Sequence, residues 1–172
     1  ESSAREDGCD FIYEGGFKNN SYNGFATYMF YNCNDENYNY TYVGFLKDGL
    51  RYGLGQDETN KIRHIGIYDE NIILGYTEFI DTGSFYFGEY GEETYDGIGE
   101  YFFSDGSNYK GNFKDGEYEG RGIYTFANGR TESGTFKNGE LKQSLSINRS
   151  DFSFNKIKKQ YTYLKFDDVI IL

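Results

Sequence analysis

The chain of 172 residues contains no proline, no tryptophan, one histidine, one methionine and two cysteines. The absence of proline suits a hydrogen-bonded sheet, because proline cannot donate a backbone N–H to a neighbouring strand. The single histidine, His64, has none of the companions that a nucleophilic triad or a metal site requires. No apolar stretch approaches the roughly 20 residues that a membrane-spanning helix needs. We therefore predict a protein that is not an enzyme and holds no metal and no cofactor.

The two cysteines, Cys9 and Cys33, bracket the first hairpin that the pattern predicts. The turn of this hairpin allows two pairing registers for its strands. The register with the wider loop places Cys33 beside position 8, which allows a cross-strand disulfide. Two isolated cysteines are more often free thiols in an intracellular protein. The sequence leaves both alternatives open, and it favours an intracellular, cytoplasmic location.

Aromatic residues and glycine are abundant instead, with 19 Tyr, 16 Phe and 23 Gly. The clearest stretch, YKGNFKDGEYEGRGIYTFANG, starts at Tyr109. Alternation at period two places Tyr109, Gly111 and Phe113 on one face of a strand, and Gly122 and Tyr124 on one face of the next. The Asp-Gly pair between the two strands is a hairpin signal, because tight turns need positive φ. Each hairpin thus places aromatic rings across from glycines. Because glycine has no side chain, a ring can lie flat on the backbone there.

The same pattern recurs at a spacing of 22 to 23 residues, with one longer interval of 29. Five full copies and a sixth half-copy begin at Tyr13, Tyr42, His64, Tyr86, Tyr109 and Glu132. The long interval reflects inserted residues in the segment from Asn32 to Tyr40, which we predict to be a loop. No aromatic follows Gly55, so we expect a distorted or longer edge over 56–63. Asn20 and Asn71 stand at the hairpin glycine and tolerate left-handed backbone.

The pattern Y-x-G-x-F-x-x-G-x-x-x-G-x-G-x-Y resembles the MORN repeat over residues 11–141. The resemblance implies an all-β fold, a single-layer curved antiparallel β-meander of tandem β-hairpins. It also implies a scaffold or adaptor in cytoskeletal, ciliary or membrane-junction assemblies, sometimes gripping a helical tail. Two further roles implied by the family are a peripheral module associated with phospholipids and the targeting part of a larger enzyme.

The net charge of −11 is unevenly distributed. Residues 141–172 contain six Lys or Arg and three acids, for +3, so residues 1–140 carry −14. An acidic sheet repels phosphate, which excludes nucleic acid and disfavours anionic lipid as partners. Charge complementarity favours a basic protein segment, helical or extended.

Three segments follow from the period. Residues 1–10 are a polar lead-in, 11–141 form the repeat domain, and 142–172 form a tail that breaks the period. We predict a final repeat strand at 134–137. The tail ends in the most aliphatic stretch of the chain, so we expect it to cap the terminal repeats or to extend into a partner.

A one-layer sheet cannot bury both faces, so part of the aromatic face stays exposed unless something covers it. We predict that ten rings line one trough, which binds a protein partner. They are Tyr28, Phe30, Tyr68, Phe79, Tyr90, Tyr101, Phe103, Phe113, Tyr124 and Phe126. The alternative is that these rings only pack against each other.

Overall fold

A computed structural model describes residues 2–6, 9–33, 39–92 and 94–152. The chain divides into two compact units, each described by itself. The first comprises Glu1–Ile72 with Thr77–Asp81, and the second comprises Ile73–Tyr76 with Thr82–Leu172. The predicted loop from Asn32 to Tyr40 lies largely outside the described residues, as does the tail beyond Phe152.

The first unit is an antiparallel meander, in which each strand pairs with the one before it in the chain. Its strands are β1 (Ser2–Glu6), β2 (Cys9–Lys18), β3 (Ser21–Tyr31), β4 (Tyr40–Lys47), β5 (Leu50–Thr59) and β6 (Ile62–Asp69). β7 (Asn71–Phe79) contributes its ends to this unit and residues 73–76 to the second.

The second unit repeats the arrangement. Its further strands are β8 (Ser84–Tyr90), β9 (Tyr95–Phe102), β10 (Asn108–Lys114), β11 (Glu117–Thr125), β12 (Thr131–Lys137) and β13 (Glu140–Ser144). A single 3₁₀ turn at Arg149–Asp151 is the one helical element of the described residues. The predicted all-β meander of tandem hairpins is confirmed.

Two-residue turns close the hairpins as the Asp-Gly pairs predict. Asp115 and Gly116 both have positive φ, 50° and 83°, and Lys114 pairs with Glu117 across the turn. Asn20 also has positive φ, 62°, as its replacement of a glycine predicts. At the β6–β7 turn the prediction is wrong by one residue, because Glu70 takes the positive φ of 64° and Asn71 begins β7.

The sheet extends beyond the repeats at both ends. Ser2–Glu6, part of the predicted lead-in, forms a strand that pairs with β2 from Ser2↔Tyr13 to Glu6↔Cys9. After the predicted last strand, β13 adds another, which pairs with β12. Both additional strands pair with an open edge of the sheet through backbone hydrogen bonds, which any extended segment can make. The repeat pattern therefore does not predict them.

The described part of the tail returns to the second unit. Leu145 continues the pairing with β12, and its carbonyl accepts a hydrogen bond from the Ser133 hydroxyl at 2.6 Å. Arg149 then forms an ion pair with Glu100. The Asp151 carboxylate accepts a hydrogen bond from the Arg121 guanidinium at 2.9 Å. Phe152 is 8% exposed. These contacts lie on the face opposite the repeat tyrosines.

Cys9 and Cys33 form a disulfide across the mouth of the β2–β3 hairpin, with their Cα atoms 4.0 Å apart. This geometry corresponds to the bridged alternative of the two that the sequence leaves open. Because the bridge closes a segment with a sequence separation of 24, it restricts the unfolded chain as well as the folded one.

Replacing both cysteines with serine is expected to lower the free energy of unfolding of the first unit by about 3 kcal/mol. This is the loss of chain-entropy stabilisation that a closed loop of this length gives, with a sequence separation of 24 between the two cysteines. Urea unfolding of the oxidised protein, the reduced protein and the Cys9→Ser/Cys33→Ser variant measures it. The reduced protein and the variant should agree, and equal stability of all three would contradict the prediction.

Candidate partner-binding surface

The first tyrosine of four repeat copies forms the core of the sheet. Tyr13, Tyr42, Tyr86 and Tyr109 are each at most 1% exposed. Each hydroxyl donates to the backbone carbonyl three residues further on. The distances are 2.7 Å from Tyr13 to Gly16, 3.0 Å from Tyr42 to Phe45, 2.7 Å from Tyr86 to Glu89 and 3.1 Å from Tyr109 to Asn112.

Glycines make room for these rings, as the repeat pattern predicts. A methyl group at Gly122 would lie 2.2 Å from the Tyr109 hydroxyl oxygen and 2.4 Å from its ring carbon Cζ. A methyl group at Gly55 would lie 2.5 Å from the hydroxyl oxygen of Tyr42. These distances are far below van der Waals contact, so each tyrosine requires a bare backbone beneath it.

A second layer of rings covers the first. Tyr22 stacks on Tyr13 with ring centroids 4.0 Å apart, Tyr95 on Tyr86 at 3.7 Å and Tyr118 on Tyr109 at 3.8 Å. The sequence analysis missed these residues. Their signal is a tyrosine two positions before the first glycine of the second strand in copies one, four and five.

In the first unit, the predicted trough residues Tyr28 and Phe30 lie together and are half-buried. Their centroids are 6.1 Å apart, and Tyr40 completes a triangle at 5.9 and 6.3 Å. Tyr68 is fully buried, so it supports the surface from below and offers no area to a partner. Phe79 is half-buried.

In the second unit, four predicted residues form one row of half-buried rings. Successive centroids lie 4.7 Å apart for Tyr101 and Phe103, 6.2 Å for Phe103 and Tyr124, and 4.8 Å for Tyr124 and Phe126. Tyr90 is half-buried and packs edge-on against Tyr86 at 5.3 Å. Phe113 is 3% exposed and packs edge-on against Tyr86 and Tyr109, so it belongs to the core and not to the row.

Copies two and three carry a polar cluster where other copies carry rings. Arg51 stands at the position of the stacking tyrosines, Asp57 at that of Tyr28, and His64 at that of the first tyrosine. Asp57 and His64 are direct cross-strand partners, as Tyr28 and Tyr42 are in the preceding junction. One pair of facing rings has therefore been exchanged for a hydrogen-bonded acid and imidazole.

Asp57 is the centre of this cluster and is 6% exposed. Its Oδ1 lies 2.7 Å from His64 Nδ1, and its Oδ2 accepts from Tyr68 at 2.9 Å and from Arg51 at 3.1 Å. Of the two alternatives predicted for 56–63, the distorted edge is wrong, because β5 pairs with β6 without a register shift from Tyr52 to Glu58. β5 continues to Thr59 and is ten residues long. The satisfied polar side chains hold the space that rings fill elsewhere.

Burial also sets the ionisation of the core. Desolvation raises the pKa of Tyr42, Tyr68, Tyr86 and Tyr109 well above the usual value near 10. In Tyr68 the nearby Asp57 carboxylate raises the pKa further. These phenols therefore stay protonated in the folded protein, and they act as hydrogen-bond donors to carbonyl or carboxylate oxygens.

Comparison with known proteins follows this geometry. The family model of the MORN repeat matches residues 13–32 and 109–129. These matches cover the β2–β3 and β10–β11 hairpins, each with a buried tyrosine over glycines. No curated protein matches the chain. Within the described residues, no helix has the length and apolarity needed to cross a membrane.

Proposed function

We propose, from the premise that this chain is a MORN-repeat protein, that it is a non-catalytic scaffold that binds a protein segment along its half-buried rings. MORN repeats generally mediate interactions with proteins or membranes. We assign as the partner of this chain a protein segment, helical or extended, within a cytoskeletal, ciliary or membrane-junction assembly.

The observation that carries the proposal is the row of rings in the second unit. Tyr101, Phe103, Tyr124 and Phe126 lie side by side on one face and keep part of their surface in solvent. Contiguous exposed aromatic surface is typical of partner-binding faces, and a groove of this kind accepts the apolar side of a helix or an extended strand.

Charge supports a basic partner. Residues 1–140 carry a net charge of −14, and complementary charge raises the rate of association and rejects like-charged partners. The same field opposes anionic lipid, which is why a protein partner is preferred here over a membrane surface.

A fluorescent peptide of alternating leucine and lysine clusters, designed as a basic amphipathic helix, tests the proposal. Because ring contacts dominate such interfaces, Phe103→Ala and Phe126→Ala should each weaken binding by about fivefold or more. The control is Phe25→Ala, which removes a ring of the first unit that is 60% exposed and does not belong to the row. Equal losses in all three variants, or no binding, would contradict the proposal, and sedimentation with phosphatidylserine vesicles would favour a membrane role.

We further propose an intracellular, cytoplasmic location, in which Cys9 and Cys33 are reduced to thiols although the fold places their sulfur atoms at bonding distance. The Cys9–Cys33 disulfide provides the test, because disulfides persist in oxidising compartments and are rare in the reducing cytosol. Thiol trapping at the moment of cell lysis should label both cysteines in a cytoplasmic protein. A fully bridged protein under those conditions would overturn the location.

A further inference from the structure

We propose that a pocket on the tyrosine face of the first unit binds one lysine or arginine side chain of the partner segment. The proposal rests on the proposed function and names the contact that would select a basic partner. The pocket has a volume of about 520 Å³. It is lined by Tyr28, Phe30, Tyr40, Gly49, Leu50, Arg51, Glu70 and Asn71.

Three rings form the aromatic part of the pocket. Tyr28, Phe30 and Tyr40 lie 5.9 to 6.3 Å from one another, centroid to centroid, and all three are half-buried. The face of an aromatic ring attracts a cation through its quadrupole within about 6 Å. The three rings pack against each other, so a cationic head placed against their exposed side would contact more than one ring.

Arg51 does not make the pocket a site for anions, because its hydrogen-bonding groups are already engaged. Its guanidinium donates to Asp57 and to the Tyr40 hydroxyl at 3.1 Å each. It also donates to the Glu70 carbonyl at 2.8 Å and to the Asn71 side chain at 3.3 Å. Four of its five N–H groups are used, and the Asp57 carboxylate balances its charge.

Glu70 leaves the pocket with a negative charge. Within the described part of the chain, no cation pairs with its carboxylate, whereas Arg51 is matched by Asp57. The surrounding field has the same sign, since residues 1–81 contain 14 acids and six Lys or Arg. The Glu70 carboxylate beside aromatic side chains is complementary to a lysine or arginine head with an aliphatic stem.

The chain itself shows that rings on this face accept cations. Within the first unit, the Arg51 guanidinium lies over the Tyr68 ring, 5.2 Å from its centroid. Within the second unit, Arg130 lies over Phe126 at 3.8 Å. Tyr28, Phe30 and Tyr40 are half-buried rings of the same chemistry.

The test is a titration with N-acetyl-arginine methylamide, followed by the NMR signals of the tyrosine and phenylalanine rings. The matched probe is the citrulline derivative, which has the same shape without the charge. We expect saturable shifts of Tyr28, Phe30 and Tyr40 with the arginine probe and none with the citrulline probe. Glu70→Gln and Phe30→Leu should each weaken binding two- to fivefold, the range of an exposed cation–π contact.

The control variant is Asp69→Asn, which removes the same charge from an exposed neighbour that does not line the pocket. An equal loss in Asp69→Asn and Glu70→Gln would show a general charge effect and overturn the pocket, as would unshifted pocket rings. Thermal unfolding confirms that each variant is folded. Neither outcome touches the proposed function, which is judged separately by the Phe103 and Phe126 variants and the amphipathic peptide.

Discussion

Raising the pH above about 10 is expected to destabilise each unit steeply, by about 3 kcal/mol at pH 11 and about 5 kcal/mol at pH 12 for every two buried tyrosines that stay protonated in the folded state. Five tyrosines are at most 1% exposed and have a pKa that desolvation raises. They are Tyr13, Tyr42 and Tyr68 in the first unit and Tyr86 and Tyr109 in the second.

The sign follows from proton linkage. Below pH 10 these phenols are protonated in both the folded and the unfolded chain, so their contribution to stability is fully present. Above pH 10 the unfolded chain releases the protons while the folded chain keeps them. Stability then falls by about 1.4 kcal/mol per pH unit for each tyrosine, until the pH reaches the raised pKa of the folded state.

Absorbance at 295 nm measures tyrosinate, and far-UV circular dichroism measures the sheet. We expect the fully buried tyrosines to ionise only together with loss of the sheet. Tyr86→Phe removes one buried ionisable group. The slope of stability against pH should therefore be smaller by about 1.4 kcal/mol per pH unit, which corresponds to one proton. Full ionisation near pH 10 with an intact sheet would contradict the prediction.

Much of the fold could be predicted because the repeat encodes it twice, once in its period and once in its turn residues. The spacing of 22 to 23 residues predicts one hairpin per copy, and pairs such as Asp115-Gly116 position the turns. The seat of Tyr109 was also predictable, since a ring and a glycine at alternate positions must share a face.

The candidate surface was harder to predict, because exposure depends on how rings stack. Tyr68 and Phe113 fit the trough pattern, yet both are buried beneath neighbouring side chains. The stacking ring Tyr118 fits no predicted role, although it covers Tyr109 at 3.8 Å. Periodicity assigns a residue to a face of the sheet, but it does not separate the floor of that face from its upper layer.

The polar cluster shows a different difficulty. Asp57 and His64 each look like a degenerate repeat position when they are considered one at a time, and the missing aromatic after Gly55 suggested a distorted or longer edge. In the structure they compensate each other, because His64 faces Asp57 across the ladder and Arg51 donates to the same carboxylate. Only the pairing register shows that these three polar residues replace the aromatic residues of the repeat together, as one interacting cluster.

Replacing Gly122 with alanine is expected to destabilise the second unit by about 3–5 kcal/mol. Alanine in a strand would by itself favour folding slightly, because glycine loses more backbone entropy. Here the new methyl group would lie 2.2 Å from the Tyr109 hydroxyl oxygen. The ring cannot move aside cheaply, since Tyr118 stacks on it and its hydroxyl is bonded to the Asn112 carbonyl.

The cost must therefore come from displacing Tyr109, and a double-mutant cycle isolates it. In a Tyr109→Ala background, where the ring is absent, Gly122→Ala should cost less than about 1 kcal/mol. Gly129→Ala is the control for backbone strain, because Gly129 has φ of 82° and no atom within 4 Å of an added methyl group. It should cost about 1 kcal/mol. Urea unfolding measures the stability of Gly122→Ala, Tyr109→Ala, the double variant and Gly129→Ala. Equal costs of Gly122→Ala with and without the Tyr109 ring would show that Gly122 does not make room for this ring.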